Sequence, residues 1–163
     1  ISFTSGIDST YDEYVFKLYN IHPSSDSDVQ LQFNGSADTG SNYNVTKTTT
    51  HFSAYHYESN LTASLGYNTS YDIAQGTGFQ TLSTNIGGDN DQCGSGYIHL
   101  FAPSSTTFAK HFISNVSFVQ SDDVARIDYV AGYFNTTSAV DAMQFKFSSG
   151  NIDSGVIKLY GIS

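Results

Sequence analysis

The chain is poor in several residue types on which common folds and activities depend. It has no Trp, a single Cys and only 13% charged residues, of which 6 are Lys or Arg. The lone Cys93 excludes a disulfide within the chain, and no neighbouring His or basic residue favours its reactive thiolate form. The absence of Trp removes a common platform for sugar rings. No stretch approaches the roughly 20 apolar residues of a membrane-spanning helix, so we expect no membrane insertion.

Positive charge is also scarce, and the formal net charge is −9 with a sequence pI of about 4.5. A phosphate backbone would be repelled, so the sequence predicts no nucleic-acid partner. The charged share is about half that of an average globular protein. Ser, Thr, Asn and Gly take the place of charged residues on the expected surface. Such a surface is common on secreted domains and on virion exteriors.

The chain is rich in aromatic and aliphatic residues, which alternate with polar ones in several stretches. Hydrophobic residues make up 39% and aromatics 15% of the 163 residues, which is enough for one domain with a core, spanning residues 1–163. In residues 143–147, Met and Phe alternate with polar residues, and residues 157–159 repeat the pattern around an outward Lys. A Gly-rich turn separates the two runs. We expect these runs to close an antiparallel sheet.

The same period of two predicts further strands along the chain. They fall at residues 14–22, 29–34, 44–57, 97–101, 108–119 and 127–134. Residues 1–12 suggest an edge strand, residues 24–28 an acidic loop, and residues 58–95 are the least regular part, with poor spacing for a helical turn. The sequence contains no long helix and no repeat. It predicts an all-β fold, an antiparallel β-sandwich of jelly-roll type with about eight strands and little or no helix.

Several short strings carry a resemblance that runs nearly end to end. They are FTSGID at 3–8, YVF at 14–16 followed by NIHP at 20–23, AGYFN at 131–135, SSGNI at 148–152 and KLYGI at 158–162. Together they resemble the C-terminal domains of virion structural and fibre-like proteins of marine tailed phages, notably those that infect cyanobacteria. The resemblance implies the C-terminal part of a longer chain, which fits the absence of a starting Met. It also implies a location on the virion exterior, a homotrimer and other virion proteins as neighbours, and it brings no catalytic residues.

The loop Asp89-Asn90-Asp91, which follows Gly87-Gly88, is the candidate metal site. Carboxylate and amide oxygens on a flexible loop are ligands that Ca²⁺ accepts. The spacing is not that of an EF-hand, and a solvated acidic loop is the favoured alternative. No other cofactor is expected.

Four tyrosines are the candidate ligand-binding residues: Tyr55, Tyr57, Tyr67 and Tyr71. Aromatic faces beside Asn, Asp and Gln suit saccharide rings, which offer apolar faces and hydroxyl edges. The alternative is that these rings pack a loop or bury a subunit contact, where Tyr is also enriched. We place the expected contacts within residues 55–92.

No catalytic motif is present, so the sequence predicts a non-enzymatic phage virion structural protein. It would be an exterior fibre or spike domain whose loops attach to the host surface through a glycan or lipopolysaccharide. The first alternative is a capsid decoration protein that braces the head. The second is a secreted carbohydrate-binding module of a cellular organism, supported by Asn-x-Ser/Thr sequons. These sequons lie at Asn34, Asn44, Asn60, Asn68, Asn115 and Asn135.

Overall fold

Antiparallel β-strands account for most of the described chain. The computed structural model describes residues 1–24 and 28–163, so part of the acidic loop predicted at 24–28 lies outside the described residues. Within those two ranges there are eleven strands and no helix. None of the described residues therefore belongs to a helix long and apolar enough to cross a membrane. The strands are Ser2–Phe3 (β1), Glu13–Pro23 (β2), Val29–Ser36 (β3), Lys47–Tyr57 (β4), Ala63–Tyr67 (β5), Gln80–Ile86 (β6), Gly94–Phe101 (β7), Lys110–Gln120 (β8), Val124–Phe134 (β9), Ala142–Phe147 (β10) and Ile152–Ile162 (β11).

The all-β prediction is confirmed, and the number of strands is larger than the eight expected. Two of the additional strands, β5 and β6, lie in the region 58–95 that the sequence left irregular. All five residues of β5 are exposed, and β6 is buried almost throughout. Neither strand alternates between buried and exposed residues, which is the signal that sequence reasoning depends on.

The strands form one hydrogen-bonded sheet in the order β1-β10-β3-β6-β8-β7-β2-β11, with β9 and then β4 and β5 branching from β8. A single residue pair, Ile86 with Gln120, joins β6 to β8. Hydrogen bonding thus does not separate the strands into the two sheets of a jelly roll, and that part of the prediction is not confirmed. The consecutive strands β10 and β11 do not pair with each other, because β10 lies between β1 and β3 whereas β11 pairs with β2.

The core is made of aromatic rings from strands that are distant in the sheet order. Phe145 of β10 lies 5.3 Å from Phe16 of β2, and Phe33 of β3 lies 5.1 Å from Phe112 of β8, measured between ring centroids. The β10-β3 end of the sheet therefore packs against the face of β2 and β8. This arrangement fixes two sides for the strands β2, β7, β8, β9, β4 and β11: an inner side on the core and an outer side that is open.

Candidate functional site

The four predicted tyrosines do not gather on one surface. Tyr55 and Tyr57 lie on the same side of β4, with ring centroids 6.0 Å apart. Tyr67 of β5 pairs with Phe52, which lies on the opposite side of β4 from Tyr55. The Tyr67 hydroxyl donates to Asp72 Oδ2 at 2.7 Å, and this hydrogen bond raises the pKa of Tyr67.

The fourth tyrosine serves packing rather than an open surface. The half-buried Tyr71 ring lies 5.4 Å from the imidazole of His51, which is fully buried. The Tyr71 carbonyl accepts a hydrogen bond from Gln80 Nε2 at 2.8 Å, which ties the loop after β5 to β6.

The predicted metal loop connects β6 to β7 and is held by its own residues. The Gln92 amide donates to the Asp89 carbonyl at 2.8 Å, and the Asp89 amide donates to Gln92 Oε1 at 3.2 Å. These two bonds close a turn that presents Asn90 and Asp91 outward. The side chain of Gln92 is buried, so this turn has a fixed base.

Strand ends bring further polar residues next to this loop. Asn90 and Asp91 line a cleft of about 360 Å³ together with His22 of β2 and Asp153 of β11. His22 Nδ1 lies 3.5 Å from Asp153 Oδ2, and His22 Nε2 lies 3.2 Å from the Asp89 carbonyl. Within residues 1–24 and 28–163, however, no group of three or more His, Cys, Asp or Glu side chains is placed to hold a metal ion. The calcium prediction gains no support from this arrangement.

A second depression lies on the outer side of β7, β2 and β11, and we call it the tyrosine groove. It has a volume of about 540 Å³ and is lined by Glu13, Val15, Lys17, Tyr97, His99, Tyr160, Gly161 and Ile162. Val15 is its floor, because His99 and Tyr160 are its direct partners on the two neighbouring strands. The larger side chains on both sides leave Val15 only 5% exposed.

Strand alternation explains how the tyrosine groove forms. Alternate residues of one strand point to the same side, so Tyr97 and His99 of β7 share the outer side with Lys17 and Glu13 of β2. Tyr97 is the direct partner of Lys17 across the strands. Tyr97 and Tyr160 remain 39% and 41% exposed and supply the aromatic walls.

The charged groups of the groove are held in place by neighbours. His99 Nδ1 makes a short contact with Glu13 Oε1, and both side chains stay partly exposed. Lys17 Nζ lies over the Tyr160 ring, 5.6 Å from its centroid. The groove thus combines aromatic walls and an apolar floor with a carboxylate, an imidazole and an ammonium group, each with remaining hydrogen-bonding capacity.

Sequence reasoning missed the tyrosine groove for a physical reason. The outward residues Tyr97 and His99 could be predicted from the alternation of the strand at 97–101. Their partners could not be predicted, because β2 and β11 lie at opposite ends of the chain and their pairing is a long-range contact. No local pattern specifies which strand lies beside which.

Charged groups also occur on the inner side, where Asp128 of β9 is fully buried. Its Oδ2 accepts hydrogen bonds from the Thr84 amide at 2.8 Å and the Thr84 hydroxyl at 2.9 Å, and its Oδ1 accepts one from Arg126 Nε at 2.9 Å. His51 Nε2 lies 3.6 Å from Oδ2. A His beside an Asp is a frequent catalytic pair, but this one is closed to solvent. Asp128 joins β9 to β6 through Thr84, whereas both ring nitrogens of His51 are buried without a hydrogen-bond partner.

The chain matches no protein-family model, no curated protein and no solved structure. The assignment of function therefore depends on the geometry and chemistry of the sites described above.

Proposed function

We propose that this chain is a non-enzymatic domain on the exterior of a phage virion, which attaches the particle to saccharides of the host surface. The observation that carries the proposal is the tyrosine groove. Ring faces of Tyr97 and Tyr160 can stack on the apolar faces of sugar rings. Glu13, His99 and Lys17 are placed at its edges to exchange hydrogen bonds with hydroxyl groups.

The properties of the chain as a whole support the same function. Its resemblance to C-terminal domains of marine tailed-phage fibre-like and virion structural proteins supports the proposed exterior location. Its net charge of −9 and its small number of basic residues limit non-specific attraction to anionic surfaces. The aromatic packing of the β10-β3 end on β2 and β8 supports the sandwich of jelly-roll type as a proposal for the architecture.

Assembly as a homotrimer is part of the proposal. A single groove of this size would bind a saccharide weakly, since few atoms are buried. Three grooves on one particle tip would act together, and the effective concentration of the second and third contact raises the overall avidity. Weak individual sites are then sufficient for attachment.

The test is binding of the purified 163-residue chain to a glycan array, to lipopolysaccharide from candidate hosts and to host cells. We expect saccharide-dependent binding that free saccharide competes away. Absence of binding in all three assays would overturn the attachment function. Localisation of the chain on the virion head, together with that absence, would favour a capsid decoration protein instead.

A specific observation weakens the alternative of a secreted carbohydrate-binding module with glycosylated sequons. Asn34 is fully buried, and its Nδ2 donates to the carbonyls of Tyr43 at 2.6 Å and Thr77 at 2.9 Å. A glycan on Asn34 is incompatible with this fold. Mass spectrometry of the intact protein isolated from its natural source would show whether the remaining sequons carry glycans.

A further inference from the structure

The outer side of β4, β9 and β8, continued by β5, carries no formal charge. We define this uncharged face as the even-numbered residues 48–56, the odd-numbered residues 111–119 and 125–133, and Leu65 and Tyr67. Among these described positions there is no Asp, Glu, Lys or Arg. The strands are in continuous register across the face, so that Phe52 lies between Tyr67 and Tyr129. The groups on it are apolar, aromatic, hydroxyl and amide groups, with two histidines.

Large apolar side chains on this face are open to solvent. Leu65 is 71% exposed, Tyr67 56%, Ile113 51% and Phe52 41%. Phe52 stacks on Tyr129 with ring centroids 4.8 Å apart and an interplanar angle of 9°, which makes a rigid ridge. Soluble monomers rarely leave a contiguous apolar patch of this kind uncovered, and such patches mark interaction surfaces.

Beside the ridge lies a hollow of about 460 Å³. Small residues form its base, including Thr50 and Ala131, which are direct partners across β4 and β9. His111, Ile113 and Tyr133 form its walls. Because the ridge and the hollow lie side by side, the ridge of one copy can fill the hollow of a second copy, and the reverse.

We propose that the partner that covers the uncharged face is a second copy of this chain. The chain carries a net charge of −9, so two copies repel each other wherever acidic surfaces meet. The residues of the uncharged face include no carboxylate, and Asp72, which the Tyr67 hydroxyl contacts, adjoins only its β5 end. Two copies can therefore meet over most of this face without burying like charges, whose juxtaposition opposes association. A face that meets a second copy of itself makes a twofold contact, whereas the contacts of a homotrimer join two different surfaces. This inference therefore goes beyond the proposed homotrimer and does not rest on it.

The size of the face is sufficient for a specific contact. Three strands of nine residues and the five residues of β5, at about 4.8 Å between strands and about 3.4 Å per residue, give roughly 520 Å². Two such faces bury roughly 1,000 Å², which is about the minimum for a specific protein interface. The tyrosine groove lies on β7, β2 and β11, outside the face, and stays open in such an assembly.

The test is the oligomeric state of the 163-residue chain and of two charge variants, measured by light scattering and analytical ultracentrifugation. Ala131→Glu and Thr50→Glu place a carboxylate at the centre of the face, where each copy would meet its own charge. We expect the wild-type chain to be oligomeric and each variant to associate roughly a hundredfold more weakly. Val156→Glu, an exposed outward position of β11, adds the same charge outside the face and is the matched control.

A monomeric wild-type chain, or variants that assemble as the wild type does, would overturn the inference. Circular dichroism shows whether each variant is folded. Because two positions are substituted separately, the test still works if one of the two variants misfolds. Saccharide binding is measured on the same samples. A monomer that binds saccharide refutes only the self-association, and an oligomer without saccharide binding refutes only the attachment function.

Discussion

Lys47 and Lys110 lie on opposite sides of Phe134, and both are fully buried. Lys47 of β4 and Lys110 of β8 are the direct partners of Phe134 on β9. Lys47 Nζ donates to the Gly78 carbonyl at 2.6 Å, and Lys110 Nζ donates to two backbone carbonyls at 2.9 Å each. Carbonyl dipoles compensate only part of the cost of removing an ammonium ion from water.

This burial predicts that the protein becomes more stable at mildly alkaline pH. Burial lowers the pKa of Lys47 from 10.5 to about 8, and it lowers the pKa of Lys110 in the same direction. Between the folded and unfolded pKa values the unfolded chain binds more protons, so the free energy of unfolding rises with pH. From about pH 7.5 to about pH 9.5 we expect the free energy of unfolding, measured by urea denaturation, to rise by about 1 to 2 kcal/mol.

Lys47→Met should flatten this rise, because it removes the group with the larger resolved shift. Lys158→Met is the matched control: Lys158 is exposed on β11, and its variant should keep the wild-type slope. The measurement stops below pH 10. Burial raises the pKa of Tyr14 in the folded protein, so above pH 10 this tyrosine ionises more readily in the unfolded chain and lowers the free energy of unfolding. Identical slopes for the wild type and Lys47→Met would contradict the prediction.

The strands that the sequence predicted correctly are those with one apolar side. Phe16 and Leu18 of β2, and Leu31 and Phe33 of β3, are buried as the alternation indicated. Apart from Val15, their neighbours in the chain carry a polar group, so a slip of one residue in register would bring these apolar side chains to the outer side. Local pattern and tertiary burial agree in these strands, and the all-β fold could be predicted for that reason.

In the strands that the sequence did not predict, the local pattern and the burial do not agree. β6 is buried but carries polar residues, such as Gln80, whose Oε1 accepts a hydrogen bond from the Thr49 hydroxyl at 2.6 Å. A buried polar residue satisfied by a distant strand has no signature in the local sequence. The tyrosine groove was missed on the same grounds, since it depends on the pairing of β2 with β11.

Phe145 is the residue that joins the ends of the sheet, and its removal should be costly. Its ring lies 5.3 Å from that of Phe16, 6.1 Å from that of Phe3 and 6.5 Å from that of Phe33. Phe145→Ala leaves a cavity between β10 and β2, which are not hydrogen-bonded to each other. We expect the free energy of unfolding, measured in urea, to fall by about 3 to 5 kcal/mol.

The matched control for Phe145 is Phe108→Ala, because Phe108 is 72% exposed and lies outside the strands. Its variant should change the free energy of unfolding by no more than about 0.5 kcal/mol. Comparable losses for the two variants would mean that the aromatic core does not hold the fold together as described.

Gly96 is required by the close approach of β7 to β8. A Cβ at this position would lie 2.1 Å from the Asn115 carbonyl oxygen and 2.7 Å from Val116 Cα, both backbone atoms. Gly96→Ala must therefore push the two strands apart, and we expect a loss of about 1 to 3 kcal/mol. A Cβ at Gly66 of β5 would meet nothing within 4 Å, so Gly66→Ala should be neutral or slightly stabilising. Equal thermal unfolding midpoints for the two variants would contradict this packing.

The tyrosine groove predicts a specific pattern of loss in saccharide binding. Tyr97→Ala and Tyr160→Ala each remove one aromatic wall, and each should weaken binding to the saccharide selected on the array by about tenfold, or about 1.4 kcal/mol. The measurement is titration calorimetry on the purified variants, with the unfolding midpoint as a check on the fold. Both rings are exposed, so their removal leaves the core intact.

Tyr19→Ala is the control that separates the groove from the sheet surface in general. Tyr19 is 42% exposed on the outer side of β2, close to the exposure of Tyr97 and Tyr160, and Lys158 Nζ lies 5.7 Å from its ring centroid. It does not line the groove. Its variant should therefore bind saccharide as the wild type does. If all three variants lost affinity equally, recognition would belong to the whole aromatic surface of β2, β7 and β11, and the groove would have no special role.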